Sequence, residues 1–234
     1  MLGTHTESIA LLLHRNDRSA VVEVTSHSVI PAQDNGFVLG AGRLFSQQDK
    51  DRIADILTGT RSTLAFVSDK VLARDNSGSN MVWYTPPRMA TVRFKQDEYQ
   101  VPMPLLVYVQ TEGQPLRVFA AKGKRRPGPT TKLFVAPLGN INTNGTMCAG
   151  NVRLGRFQGT EADIAACEAF AVEARNTHLG NTAPVKGATT HELFEAFVAS
   201  LHQDKAKVFP SSVLLALRTG KRQLILSDLI EGEV

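Results

Sequence analysis

The sequence predicts an α+β fold in which an antiparallel sheet is followed by helices that pack on it. Short β-branched or alternating runs fill much of the first two thirds of the 234-residue chain, and amphipathic helical patterns fill the last third. Strands that come first and helices that come later are typical of α+β domains. With 42% hydrophobic and 21% charged residues, the composition is that of a globular protein rather than a disordered one.

The first third of the chain is predicted to contain four strands and one helix. The helix begins at Ser46, a capping residue with Asp49 three positions later, and it ends at Gly59. We therefore predict an N-terminal strand-rich extension over residues 1–78 and a second domain over 79–234, with one continuous domain as the alternative. The predicted strands of the extension are Ile9–Leu13, Ala20–Thr25, Phe37–Phe45 and Leu64–Ala73.

The middle third is predicted to form an antiparallel meander with turns at Gln96–Glu98 and Glu112–Gly113. A basic loop, Lys122–Pro129, then leads to the short apolar segment Leu133–Ala136 and to a loop that ends at Cys148. The predicted strands of the meander are Met81–Tyr84, Met89–Phe94, Leu105–Gln110 and Leu116–Ala120.

Two helices and a final strand are predicted in the last third. Thr160 and Asp163 form a capping box for the first helix, and Thr189 and Glu192 form one for the second. The closing strand is predicted over Gln223–Ile230. The apolar stripe of the first helix is Ile164, Cys167, Ala171 and Ala174, and that of the second is Leu193, Phe194, Phe197, Val198 and Leu201.

The composition excludes several classes of protein. No apolar run approaches the ~20 residues that span a bilayer, and Ile9–Leu13 is shorter than a signal-peptide core of about 7–15 residues. We therefore expect a cytoplasmic protein with free thiols. Its two cysteines have no histidine pair at metal-binding spacing. The sequence predicts no metal site, no cofactor and no disulfide scaffold.

The net charge of +4 is a mild excess, and much of it lies in one basic loop. This loop allows three interpretations: a solvated turn, a docking site for an acidic protein face, or a nucleic-acid contact. A helix-turn-helix pattern and a basic helix are both missing, so we expect no nucleic-acid partner. The cations of the loop are Lys122, Lys124, Arg125 and Arg126.

The two cysteines differ in their sequence context. Cys167 lies at helical spacing with Ile164 and Ala171, which favours a small core residue. Cys148 follows a polar, glycine-rich and asparagine-rich loop, where packing alone hardly explains a cysteine. Because loops on rigid scaffolds often hold reactive groups, Cys148 is the candidate nucleophile.

The segment before Cys148 resembles the active-site stretch of ubiquitin-conjugating enzymes. Leu138-Gly139-Asn140 occupies the place of that family's His-Pro-Asn triplet, and Asn144-Gly145-Thr146-Met147 matches the approach to the cysteine. The family's histidine and proline are replaced here by Leu138 and Gly139. That loss marks one bacterial branch, prokaryotic family D, found as protein B of the plasmid-associated PRTRC system. Members of that branch carry a histidine after the cysteine, and in this chain the dipeptide Thr177-His178 follows Cys148.

The resemblance implies a ubiquitin-conjugating-like fold and three catalytic residues. Cys148 would carry a ubiquitin-like modifier as a thioester, received from an activating-enzyme-like (ThiF-type) protein, and Asn140 would stabilise the oxyanion. His178 would accept a proton, with His191 as the weaker candidate. From the residues alone, a turn asparagine is the favoured interpretation of Asn140, and His178 is compatible with a favourable charge at a helix C-terminus.

Three functions remain open from the sequence. The first is thioester transfer by Cys148 to an amine or a thiol. The second is a non-catalytic protein that only binds a ubiquitin-like protein, which the missing histidine and proline favour. The third is a cysteine hydrolase that uses Cys148 and His178. We expect a ubiquitin-like modifier and an activating-type protein as partners, and no membrane.

Overall fold

The computed structural model of the chain describes residues 8–15, 21–32, 36–58, 67–150, 152 and 154–232. The chain divides into two compact units, Met1–Phe66 and Val67–Val234. The domain boundary between residues 78 and 79 stays a prediction, and the strand Val71–Arg74 belongs to the second compact unit.

A small antiparallel sheet and one helix make up the described part of the first unit. Strand β2 pairs with each of the other three strands. The predicted strand Phe37–Phe45 is two short strands, and residues 64–66 of the predicted strand Leu64–Ala73 lie outside the described residues. The elements are β1 Ile9–Arg15, β2 Val21–Pro31, β3 Phe37–Leu39, β4 Arg43–Leu44 and α1 Gln47–Thr58.

The predicted N-terminal cap of α1 is confirmed. Ser46 Oγ donates to Asp49 Oδ2 at 2.7 Å, and the Asp49 amide donates back to Ser46 Oγ at 3.3 Å. Arg43 also pairs with the same carboxylate at 2.6 Å. The Asp49 side chain therefore satisfies groups at the beginning of α1 and links the helix to β4.

A five-stranded antiparallel sheet is the scaffold of the second unit. The strand order is β11-β10-β9-β6-β5. Every residue of β9 is buried, because helices cover one face of the sheet and the C-terminal segment covers the other. The strands are β5 Val71–Arg74, β6 Met81–Thr85, β9 Leu105–Gln110, β10 Arg117–Ala121 and β11 Leu133–Val135.

Strands β7 (Arg88–Phe94) and β8 (Asp97–Met103) form a separate antiparallel hairpin between β6 and β9. The sequence predicts a turn at Gln96–Glu98 and no β8, because the charged start and the proline of β8 weaken its strand pattern. Strand β12 (Arg175–Asn176) pairs in parallel with β7 and completes this sheet. The α+β class is confirmed, and the meander is interrupted because β6 pairs directly with β9.

Two longer helices, α2 (Glu161–Glu173) and α3 (His191–Gln203), pack on the sheets. The Thr160–Asp163 capping box of α2 is confirmed. The prediction for α3 is off by one residue, because the hydroxyl of Thr190 rather than that of Thr189 accepts the cap hydrogen bond. The prediction that Leu193 is buried is wrong: 49% of it is exposed.

The C-terminal segment is not the predicted strand Gln223–Ile230. It contains the two-residue strands β13 (Arg218–Thr219) and β14 (Arg222–Gln223), followed by the short helix α4 (Leu226–Ile230). The helix replaces the strand because the Asp228 carboxylate accepts from the Ile225 amide at 2.9 Å and caps the first turn. Leu224, Leu226 and Leu229 cover the second face of the sheet. In the described part of the chain, no helix could cross a membrane.

Candidate active site

Cys148 lies at the end of a tight β-hairpin that begins at Asn140. Ile141 and Met147 pair across this hairpin in antiparallel fashion. The same register places Asn140 opposite Cys148, and the Cys148 amide donates to the Asn140 carbonyl at 2.8 Å. The predicted nucleophile and the predicted oxyanion residue are therefore joined directly through their backbones.

Gly145 makes the turn of this cysteine hairpin possible. Its amide donates to the Asn142 carbonyl at 2.9 Å, and its φ of +81° lies in the left-handed region that favours glycine. A Cβ atom at this position would overlap the ring of Phe119 on β10. The Gly145 carbonyl also accepts from the Val118 amide at 2.8 Å, so the turn is fixed against the first residues of β10.

The Asn140 side chain is buried, with 6% of the residue exposed. Its amide nitrogen Nδ2 donates to the Arg175 carbonyl at 3.2 Å, at the long limit for such a hydrogen bond. Its Oδ1 is buried and accepts no hydrogen bond from the described residues. A buried amide that is only partly satisfied is unusual, because each orphaned group costs about 1–3 kcal/mol. Among the described residues, the Asn140 side chain therefore has hydrogen-bonding capacity beyond its one bond to the Arg175 carbonyl.

The sequence does not predict a role for a second buried asparagine, Asn176, which bonds to the chain at Gly139, immediately before the hairpin begins. Its Oδ1 accepts from the Gly139 amide at 2.8 Å, and its Nδ2 donates to the Arg93 carbonyl at 3.1 Å. The residue is 3% exposed. No sequence pattern marks it, because a single asparagine after a helix is normally assigned to a turn.

The chain that follows Asn176 lies against the first arm of the cysteine hairpin. The Gly180 amide donates to the Gly139 carbonyl at 2.8 Å, and a Cβ atom on Gly180 would overlap the Ile141 carbonyl. Asn181 Oδ1 accepts from the Thr143 amide at 2.7 Å. These contacts bring the segment that carries His178 to the same side of the fold as the hairpin.

The two histidine candidates have different surroundings. His178 is exposed, and its Nδ1 lies 3.1 Å from the hydroxyl of Thr177. His191 is partly buried, and its Nε2 donates to the Asn176 carbonyl at 3.1 Å. The His191 ring also packs edge-on against Phe94, with centroids 5.3 Å apart. His178 is therefore the more accessible of the two histidines to a reacting group, whereas the contacts of His191 are those of a packing residue.

The two thiols differ in the way that the sequence predicts. Cys148 is exposed and Cys167 is buried in the core, and both are free. Burial raises the pKa of the Cys167 thiol to about 11, and the carboxylates of Asp163 and Glu168 contribute to the rise. Only the thiolate is a strong nucleophile, so Cys167 is unsuited to attack at neutral pH.

A cavity of about 540 Å³ adjoins the cysteine hairpin. Met147 and Ala149, the two neighbours of Cys148, are among its lining residues, and so is Phe170 of α2. An ion pair between Arg156 and Glu112, with 2.9 Å between nitrogen and oxygen, lies among the lining residues. The cavity offers a largely apolar space one residue from the thiol.

The basic loop divides into two pairs of residues. Arg126 donates to the carbonyls of Asp69 and Val71, and Lys122 Nζ lies 4.8 Å from the centre of the Phe134 ring. Within the described ranges, Lys124 and Arg125 are exposed and form no ion pair. Arg126 and Lys122 thus have structural contacts, whereas Lys124 and Arg125 are available to a partner. Among the residues that the structure describes, no cluster of His, Cys, Asp and Glu could hold a metal.

Comparison with known proteins gives one match. A family model described as prokaryotic E2 family D matches residues 51–217, which include the cysteine hairpin, α2, β12 and α3. Neither the curated proteins nor the solved structures contain a match.

Proposed function

The chain belongs to prokaryotic E2 family D, and we propose that it carries a ubiquitin-like modifier as a thioester on Cys148. Membership gives it a ubiquitin-conjugating-like character and a general relation to ubiquitin-like proteins. The observation that carries the proposal is the exposed Cys148 at the end of a rigid hairpin, hydrogen-bonded through its backbone to the buried Asn140.

The proposed reaction is a pair of acyl transfers. The Cys148 thiolate attacks the thioester carbonyl of a modifier held on an activating-type protein. A new S–C bond forms at Cys148, and the partner's thiolate leaves and takes up a proton. An amine or thiol of the acceptor then attacks the Cys148 thioester, and Cys148 leaves as a thiolate. The cavity beside Met147 and Ala149 has room for the extended chain that leads to the reacting carbonyl.

Asn140 is the proposed oxyanion donor. Each acyl transfer places a negative charge on the carbonyl oxygen, and a side-chain amide aimed at it contributes about 3–4 kcal/mol in other enzymes. Asn140 Nδ2 has two N–H groups, and among the described residues it donates one hydrogen bond, to the Arg175 carbonyl. The second N–H is therefore available to an oxyanion at Cys148.

His178 is the proposed proton acceptor for the attacking group, because it is exposed on the segment that lies along the hairpin. Lys124 and Arg125 are proposed to contact a protein partner. A thioester carrier needs a free thiol, and thiols stay reduced in the cytoplasm, so the proposal places the protein there. A ThiF-type activating protein and a role in the PRTRC system of plasmids belong to the same proposal.

One observation favours a second function, binding of a ubiquitin-like protein without transfer. The Asn140 amide is directed to the Arg175 carbonyl, and the chain lacks the histidine and proline that precede this asparagine in conjugating enzymes. In this case the cysteine would form no thioester.

A non-reducing gel distinguishes the two functions. The chain is incubated with ATP, a ThiF-type protein and a ubiquitin-like modifier. Transfer predicts an adduct that thiol reductant removes, that Cys148→Ala abolishes and that Cys167→Ala retains. Binding of the modifier without an adduct, while the activating protein itself becomes charged, would establish the non-catalytic function instead.

A further inference from the structure

We propose that a basic cleft on the second unit binds an acidic protein segment that carries an apolar side chain. The basic cleft encloses about 370 Å³ between the start of β7, the end of β8, Lys124 and the segment Lys207–Phe209 after α3. It does not include Cys148, and the inference does not depend on thioester chemistry.

The charge of the basic cleft has one sign. Its cations are Arg88, Lys124 and Lys207, and its described lining includes no carboxylate. A neighbouring pocket of about 390 Å³ shares Lys124 and adds the other three cations of the basic loop, again without a carboxylate in its described lining. Cations on converging walls raise the local positive potential and attract a negatively charged partner.

Two of the three cations have no ion pair to lose on binding. Lys124 and Lys207 pair with no carboxylate in the described part of the chain, and both are exposed. Arg88 lies 3.9 Å from the buried carboxylate of Glu168, a separation too long for a strong bond. An acidic ligand therefore gains contacts with the two lysines without first breaking a salt bridge among the described residues.

Apolar side chains line the basic cleft between its charges. Met103 and Phe209 are buried, whereas Val208 and Met89 are 65% and 44% exposed. Exposed apolar groups next to cations favour a ligand that combines carboxylates with a hydrophobic side chain, because each part then meets its complement.

The chemistry of the lining favours a protein segment over a nucleic acid. Three prolines, Pro86, Pro87 and Pro102, lack the backbone N–H groups that commonly bind phosphates. The one aromatic residue in the described lining, Phe209, is only 7% exposed and offers no face on which a base could stack. Carboxylates on a flexible peptide can reach the lysine side chains without either feature.

The test uses the full chain labelled with ¹⁵N and three probes in amide-shift titrations. The first probe is a short peptide with a central leucine and an aspartate or glutamate on either side. The second replaces the leucine by serine, and the third is a short DNA duplex. The variant Lys124→Glu/Lys207→Glu is compared with Lys186→Glu/Lys221→Glu, which changes net charge equally at exposed lysines outside the cleft.

The proposal predicts saturable shifts near the basic cleft with the leucine peptide. It predicts that Lys124→Glu/Lys207→Glu weakens binding about tenfold or more, as expected for two lost ion pairs and new repulsion. The control variant stays within about twofold, because its charges lie elsewhere, and the serine peptide binds more weakly. The proposal would be overturned if the leucine peptide gave no saturable shifts, or if the control variant lost as much affinity as Lys124→Glu/Lys207→Glu. It would also be overturned if the serine peptide bound as tightly as the leucine peptide. Tighter binding of the duplex, lost in the same variant, would assign the cleft to nucleic acid and would also overturn it.

Discussion

At the scale of single residues, environment divides similar side chains into different roles. Cys148 and Cys167 are both free thiols, but one is on an exposed hairpin and the other is in the core with a pKa of about 11. Asn140 and Asn176 are both buried asparagines, but among the described residues both side-chain groups are bonded in Asn176 and only the amide nitrogen in Asn140. The sequence could predict the first difference from periodicity, whereas the second depends on contacts between distant parts of the chain.

Thiol labelling at pH 8 tests the cysteine assignment. A pKa raised from 9 to about 11 lowers the thiolate fraction of Cys167 about 100-fold, and burial slows the reagent further. We expect iodoacetamide to modify Cys148 first, with Cys167 labelled only after unfolding, as measured by peptide mass spectrometry. Equal labelling of the two thiols in the folded protein would contradict this.

Asn140→Ala is expected to slow discharge of a preformed Cys148 thioester to an amine about 10²–10³-fold, the loss typical of a deleted oxyanion donor. The measurement is single-turnover decay of the adduct. Asn144→Ala is the matched control, because this asparagine is in the same hairpin but its Oδ1 accepts from the Thr146 amide at the exposed turn. Similar rates for both variants would mean that Asn140 has only a structural role.

The two histidines are expected to respond differently to replacement by glutamine. His178→Gln should leave the melting temperature unchanged and slow transfer about 10²-fold, because a general base is lost. His191→Gln should leave transfer from the folded protein intact and lower stability by about 1 kcal/mol, because it loses the edge-on ring packing against Phe94. Paired melting and discharge measurements check both, and the reverse pattern would exchange the assignments.

At the scale of elements, the cysteine hairpin is held by neighbours on both sides. The first residues of β10 support its turn, and the segment from β12 to Gly180 supports its first arm. The cap of α2, the buried strand β9 and the loop before Cys148 follow from local sequence patterns. The hairpin β7–β8, the parallel strand β12 and helix α4 do not, because tertiary pairing and a side-chain cap determine them.

Substitution of Gly145 tests how firmly the turn is fixed. Gly145→Ala should destabilise the protein by more than about 2 kcal/mol, because a positive φ and overlap with Phe119 act together. Gly113→Ala is the control, since its φ is also positive, at +72°, but no atom of the described residues lies within 4 Å of the added methyl group. The control should lose only about 1–2 kcal/mol in denaturant titrations. Equal losses would show that Phe119 moves away at no cost.

At the scale of the whole molecule, the sequence led correctly to the family and the fold class, because a dozen residues around Cys148 carry a specific pattern. The contacts that support the site could not be predicted from the sequence, since Asn176 meets Gly139 and Arg93, and Arg175 meets Asn140, only in the folded chain. The family match supplies the ubiquitin-conjugating-like character, and the geometry identifies which thiol to test.

The central claim is that the modifier's terminal carbonyl becomes bonded to the sulfur of Cys148. Intact-mass spectrometry of the unreduced reaction with ATP, a ThiF-type protein and a ubiquitin-like modifier tests it most directly. The account predicts a species with the combined mass of chain and modifier less one water, which hydroxylamine removes and whose attachment maps to Cys148. The account would be contradicted if the mass of the chain stayed unchanged while the activating protein became fully loaded with the modifier. An adduct whose attachment maps to a residue other than Cys148 would also contradict it.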